Sequence, residues 1–298
     1  MTPLARLIAE QIRLSGPMAL DTYMRLCLLH PQHGYYATRD PFGAQGDFTT
    51  APEISQMFGE MVGLALAQAW LDQGRPSPFA LAEIGPGRGT LMADVLRAIR
   101  VMPGMVEAAQ VHLIEASPHL RQVQRDRLGA VTHLEDAAQL PDMPLFLVAN
   151  EFFDALPIRQ FQFGEQGWAP RMVTLDETGA LAFALGPPVP GPAARPGSIA
   201  ETCPDAVEIV ASIGARIAEF GGVAIIIDYG DWDGQGDTLQ ALRRHRPEPV
   251  LEHPGEADLT AHVNFGSLAM HAGAAGARMS RMITQGDWLS RLGIAARA

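Results

Sequence analysis

The chain has almost no cysteine: only Cys27 and Cys203 occur in 298 residues. Two thiols that far apart make neither a metal-ligand spacing nor a disulfide scaffold, which points to a reducing compartment. Long apolar runs are also missing, and none reaches the roughly 18 residues needed to span a bilayer. The N-terminus has no basic-then-apolar leader, because Arg6, Glu10 and Arg13 interrupt its apolar positions. Cytoplasm, without membrane insertion, is the expectation. Positive charge is scarce too: 22 Lys and Arg against 33 Asp and Glu leave a net charge of −11. Nucleic-acid surfaces are basic, so nucleic acid is not the expected partner. The basic cluster Arg243-Arg244-His245-Arg246 reads as a solvated loop or helix end. Charged residues make up 18% and aromatics 7%, while 47% hydrophobic residues are ample for a core. His30 and His33 lack a third ligand in the sequence pattern, and no metal is expected.

What is present is a change of rhythm along the chain. Leu4, Leu7, Ile8 and Ile12 form a stripe at helical spacing, broken by Ser15-Gly16-Pro17. A second helix is predicted from Met18 to Leu29, and a third from Pro52, a residue suited to a first turn, to Asp72. From Phe79 strand and helix alternate. Strands are predicted at Phe79–Ile84, Val111–Glu115, Val131–Leu134, Leu145–Ala149 and Val223–Ile227, with helices at Leu91–Arg100, Ser117–Leu128 and Ala206–Phe220. The alternation predicts a mostly parallel sheet covered by helices. Between strands four and five, Arg159–Leu185 alternates as antiparallel strands do, and Gly186–Gly197 reads as a loop. A helix at Phe265–Ala272, a strand at Arg278–Thr284 and a helix at Asp287–Leu292 complete the prediction. The expected organisation is a helical N-terminal lid region, 1–75, followed by an α/β domain, 76–298, with 158–200 as a β-rich insertion.

The most informative stretch is Glu83-Ile84-Gly85-Pro86-Gly87-Arg88-Gly89, between a strand and a helix. Glycines at alternate positions let the backbone turn sharply and approach a ligand. A dinucleotide fingerprint would need glycine at position 90, which is Thr90, and the P-loop Gly-Lys-Ser/Thr is absent. A carboxylate beside the turn repels phosphate but suits a ligand with a cationic centre and an amino group, such as S-adenosylmethionine (SAM). A nucleotide site and a purely structural turn are the alternatives.

Ligands of such sheets bind at the carboxyl ends of the strands. Glu83, Gly85, Gly87 and Gly89 stand after strand one, as the cradle for a cofactor's methionine end. Glu115 ends strand two, where a carboxylate can accept both ribose hydroxyls. Asp136 follows strand three, placed to meet an adenine amino group. Asn150, Glu151 and Asp154 follow strand four and Asp228 follows strand five. Methyl transfer is an in-line displacement that the protein serves mainly by positioning. A guanidinium is a poor nucleophile, and carboxylates can grip it bidentately and localise its charge. Glu151, Asp154 and Asp228 would form that acidic lip, with Asp47 and Glu53 closing over it.

The segments Gly46–Glu60, Glu83–Thr90, Asn150–Pro157, Asp228-Tyr229-Gly230 and Asp258–Val263 resemble, in the same order, the mitochondrial complex I assembly-factor methyltransferases and their bacterial relatives. The resemblance implies a class I SAM-dependent methyltransferase fold, Rossmann-like. It implies SAM as cofactor and symmetric dimethylation of an arginine. The implied partner is the 49-kDa-type subunit of NADH:quinone oxidoreductase, and the implied location is the mitochondrial matrix in a eukaryote. A methyltransferase for another protein or a small molecule, a SAM-binding assembly chaperone without turnover, and a dinucleotide oxidoreductase are the rival readings. Two departures stand out: Asn264 where the family commonly has Asp, and a chain that stops at Ala298 where the family continues with a further paired strand. An unpaired edge there would favour self-association, hence a homodimer.

Overall fold

Phe79–Ile84 is buried at all six positions and forms β1, the middle strand of a parallel sheet. Beside it run β2 (Ala109–Ile114), β3 (Thr132–Leu134), β4 (Leu145–Asn150) and β5 (Gly222–Ile227), in the order β5-β4-β1-β2-β3. The register places Ile84 opposite both Ile114 and Ala149, and Ile227 opposite Asn150. Four strands therefore end side by side, and the polar residues that follow them are neighbours. This is a computed structural model, and it describes residues 1–38, 50–234 and 236–297.

The chain forms two units interleaved in sequence: Met1–Phe48, Asp154–Ala206 and Gly230–Gly266 in the first, Thr49–Phe153, Val207–Tyr229 and Ser267–Ala298 in the second. The second unit holds the parallel sheet. Leu81, Leu113, Phe146 and Val148 pack with Val62, Leu66 and Trp70 of the helix Gln56–Asp72 and Val95 and Ile99 of the helix Thr90–Ile99. Each such buried side chain contributes roughly 1.5–3 kcal/mol of transfer free energy. The two helices approach closely because Gly59 and Gly63 carry no side chain. A Cβ on Gly63 would lie 2.8 Å from the Ala98 Cβ, and one on Gly59 2.5 Å from the Asp94 Cβ.

The first unit is built on helices Pro3–Ser15 and Leu20–Leu29 against antiparallel strands. The stripe Leu4, Ile8 and Ile12 is buried with Tyr23, Met24, Ile158, Val173 and Leu259. Thr2 caps the first helix by accepting the Ala5 N–H at 3.0 Å, and its hydroxyl donates to the Pro254 carbonyl at 2.8 Å. Strands Arg159–Gly164, Gly167–Leu175, Leu181–Leu185 and Ile199–Thr202 pair in the antiparallel sheet of this unit and lie between β4 and β5 in sequence.

Three expectations are corrected. Met18–Ala19 is not helical but pairs with Val173 and Met172 before the second helix starts. The third helix is two, Ala51–Ile54 and Gln56–Asp72, because Ser55 turns extended at φ −151° and its hydroxyl caps the Met57 N–H at 3.2 Å. Residues 278–284 form no strand. No neighbouring ladder satisfies them, and Met279, Met282 and Ile283 remain 47%, 42% and 39% exposed.

Candidate functional site

Gly85, Gly87 and Gly89 all adopt positive φ, 66°, 51° and 73°, a region in which only glycine is unstrained. The turn closes through the Gly89 N–H to the Pro86 carbonyl at 2.7 Å and hangs from β2 by the Gly85 N–H to the Ile114 carbonyl at 3.0 Å. A Cβ at Gly85 would strike the Phe152 ring at 2.8 Å. The loop is thus pressed between the ends of β2 and β4, and glycine is required for space as well as conformation.

Glu83 is buried beneath this turn, and its Oε2 has no hydrogen-bond partner among the described residues. Burial pushes its carboxyl up to about 8, with the Glu115 charge adding to the effect and a backbone N–H from Met92 opposing it. A buried acid held neutral beside a glycine cradle is ready for a cationic amine, which would satisfy the orphan oxygen and restore the charge.

Glu115 follows β2. Its Oε1 accepts the Ser117 N–H at 2.8 Å and its Oε2 accepts from the Gln124 amide at 3.2 Å. Burial raises its pKa, and these bonds and the Arg121 guanidinium pull it back. Arg121 also holds the Glu115 carbonyl at 2.6 Å. A backbone N–H from Ala116 also points to the carboxylate, which keeps acceptor capacity for a ligand hydroxyl.

At the end of β4, Asn150 is buried, donates to the Glu151 Oε1 at 3.2 Å, and leaves its Oδ1 without a partner among the described residues. Glu151 stands at φ 50°, an uncommon conformation for a residue with a side chain. Burial raises its pKa, while Asn150 and a backbone N–H from Ala51 oppose the rise. Asp228, after β5, accepts the N–H groups of Phe152 and Phe153 on Oδ2 at 3.2 and 2.9 Å, and that of Tyr229 on Oδ1 at 2.8 Å. It anchors the turn that carries Glu151. Glu53 accepts the Thr90 hydroxyl at 2.5 Å, beside the glycine turn.

The second unit therefore gathers Glu83, Gly85, Gly87, Gly89, Glu115, Asn150, Glu151 and Asp228 at its strand ends, with Glu53 of the helix Ala51–Ile54 beside the glycine turn. Asp136 is exposed and caps its own short turn by accepting the Ala138 N–H at 2.8 Å. Asp154 belongs to the first unit, where its carbonyl accepts the Ala261 N–H at 2.9 Å. Asp47 lies outside the described residues. His30 and His33 stack their rings at 5.2 Å. Gln124, Arg121 and Phe152 were not anticipated. Leu120 and Gln124 are the buried residues of the helix Pro118–Leu128, four apart, and that spacing was the available signal.

The sequence pattern of a SAM-dependent methyltransferase family matches residues 61–283. Among curated relatives, the mitochondrial protein arginine methyltransferase NDUFAF7 of Danio rerio is 38% identical, over 97% of this chain and 76% of its own. Its counterpart in Xenopus tropicalis is 35% identical, over 95% and 74%, and that of Homo sapiens 34%, over 100% and 75%. A solved structure of a protein from Burkholderia thailandensis bound to S-adenosylhomocysteine superposes with a TM-score of 0.85 at 28% identity, covering 99% of this chain and 81% of that one. The orphan oxygen of Glu83, the glycine cradle and the Glu115 carboxylate fit a ligand that carries an amine and a ribose. No helix among the described residues is long and apolar enough to cross a membrane. The chain belongs to the SAM-dependent methyltransferase family, with the class I fold and SAM as its cofactor.

Proposed function

We propose that this methyltransferase acts on protein arginine, forming symmetric dimethylarginine on a 49-kDa-type subunit of respiratory complex I during assembly. The observation that carries the reading is the turn Asn150–Phe153. It holds a half-buried carboxylate, Glu151, in left-handed backbone at the end of β4, in a turn fixed by Asp228. The relatives named protein arginine methyltransferases support the choice of substrate.

In this reading Gly85, Gly87 and Gly89 cradle the methionine end of the cofactor. Glu83 takes its amino group, Glu115 its ribose, and Asn150 lies beside them. When bound, the cofactor supplies a methyl group made electrophilic by its sulfonium. The Glu151 carboxylate grips the guanidinium, localises charge on the nitrogens away from the methyl group, and accepts the proton released on transfer. Its raised pKa suits that last task. Glu53 is assigned to the acidic rim around the substrate, and Asp136 to the adenine end.

The test is methylation of the purified 49-kDa-type subunit with methyl-labelled SAM, read by mass spectrometry. Label on arginine, abolished by Glu151→Ala while binding of S-adenosylhomocysteine persists, is the expected result. Label on another residue type, or full activity of the variant, overturns the assignment. In the same preparation Glu115→Ala is expected to weaken SAM binding by about 1–3 kcal/mol, the cost of leaving hydrogen-bonding groups unpaired.

A further inference from the structure

Gln124 is wholly buried in a helix whose other buried member is Leu120. A leucine would suit that position better unless the polar groups have work to do. All of them are engaged. The amide nitrogen donates to the Gly87 carbonyl at 2.6 Å and to the Glu115 Oε2 at 3.2 Å. The amide oxygen lies 2.8 Å from the His133 Nε2. The Gln124 Cγ would be 3.5 Å from a Cβ built on Gly89.

The chemistry fixes the direction of every bond. Gly87 offers a carbonyl and Glu115 a carboxylate, both acceptors, so the NH2 must face them. A flipped amide would set its oxygen against two acceptors. The oxygen therefore faces His133, which must carry a proton on Nε2. Gly85 and Glu115 directly follow the registered pair Ile84 and Ile114 on adjacent strands, and Gln124 spans the gap between them.

We propose that Gln124 is a positioning residue for the cofactor: its amide locks the Glu115 carboxylate to the glycine turn, and His133 locks the amide. The proposal rests on the reading of Glu115 as the ribose ligand. Gln124 acts through Glu115, leaving the outward lone pairs of that carboxylate aimed at a diol and setting their distance from the cradle of the methionine end.

The experiment is calorimetric titration of the full chain with S-adenosylhomocysteine and with its 2′-deoxy analogue. The variants are Gln124→Leu, Glu115→Ala, the double substitution, His133→Leu and His133→Gln, with thermal melts to confirm folding. Gln124→Leu is expected to weaken S-adenosylhomocysteine about tenfold, the scale of a hydrogen bond to a charged group. The double variant should be no weaker than Glu115→Ala, and the Gln124→Leu loss should shrink for the deoxy analogue. His133→Leu should weaken binding as well, and His133→Gln, whose amide can donate to the same oxygen, should restore it. If Gln124→Leu does not fold, the two His133 variants carry the test alone. Wild-type affinity in folded Gln124→Leu, or losses that multiply fully in the double variant, overturns the proposal and leaves the ribose reading standing. Equal affinity of His133→Leu and wild type overturns the part assigned to His133. Unchanged affinity in Glu115→Ala, or no binding by the wild type, overturns the ribose reading and this proposal with it.

Discussion

Asp228 holds Phe153 by its backbone: the carboxylate Oδ2 accepts the Phe153 N–H at 2.9 Å. The last strand thereby braces the turn after its neighbour, and Glu151 is kept at φ 50° inside that turn. Left-handed backbone costs an L-residue about 1–2 kcal/mol. Glu151→Gly should therefore be more stable than Glu151→Ala by about 1 kcal/mol, although both lose the same carboxylate. Urea unfolding of the two variants measures the difference, and equal midpoints would mean that the turn stores no strain.

Glu83 predicts a trade between stability and binding. Its folded-state pKa of about 8 lies above the ordinary carboxylate value of 4.5. Between those values the folded chain holds a proton that the unfolded chain has lost, so stability falls as pH rises and levels off above about 8. Glu83→Gln mimics the neutral form. It should melt above the wild type at pH 8.5, with a smaller gap at pH 6.5. The same variant should bind S-adenosylhomocysteine more weakly, because it cannot become an anion beside the amine. Parallel melting curves at both pH values would contradict the buried neutral acid.

His112 makes the opposite prediction at the acid end. It is buried on β2, and neither ring nitrogen has a hydrogen-bond partner among the described residues. Burial lowers its pKa below 6.5. The unfolded chain then takes up a proton more readily than the folded one, and stability falls as pH drops below about 6.5. His112→Leu should flatten that acid limb and add about 1–2 kcal/mol at pH 7, since an unpaired buried polar group is removed. Chemical denaturation from pH 5 to 8 reads both effects, and a steeper acid limb in the variant would refute the argument.

Gly63 tests the helix contact. Alanine there would place its Cβ 2.8 Å from the Ala98 Cβ and 3.1 Å from the Val95 backbone. Overpacking of this kind costs about 1–3 kcal/mol, more than alanine gains in helix propensity. Gly63→Ala should lower the melting temperature, and adding Ala98→Gly should recover part of the loss. A melting temperature above wild type for the single variant would show that the helices can part at little cost.

These sites differ in how plainly the sequence announced them. The strand Phe79–Ile84 and the glycine turn were legible because apolar runs and alternate glycines report local geometry. Glu115 and Glu151 were legible in position because both stand directly after such runs. Gln124 was not, since a glutamine in a polar helix looks like any solvated residue until its partners on two other segments are known. The break at Ser55 was hidden because Pro52 signals a start, and a serine three residues on does not announce a second one. Residues 278–284 hold Met279, Met282 and Ile283 among polar residues with no strict alternation, and a strand also needs a partner, which only the tertiary structure supplies. The interleaving of the two units is likewise a property of packing: periodicity finds elements without saying which of them share a core.

The bond from the Thr2 hydroxyl to the Pro254 carbonyl joins residues 252 apart in sequence. A ribosome adding about 5–20 residues per second needs roughly 10–50 s to travel that distance. Throughout that interval the first helix is made but its apolar stripe of Leu4, Ile8 and Ile12 lacks Leu259 and Ala261, which help to cover it. This helix is thus translated well before the residues that cover it, and the newborn protein must keep a sticky surface out of trouble until residues 254–261 emerge.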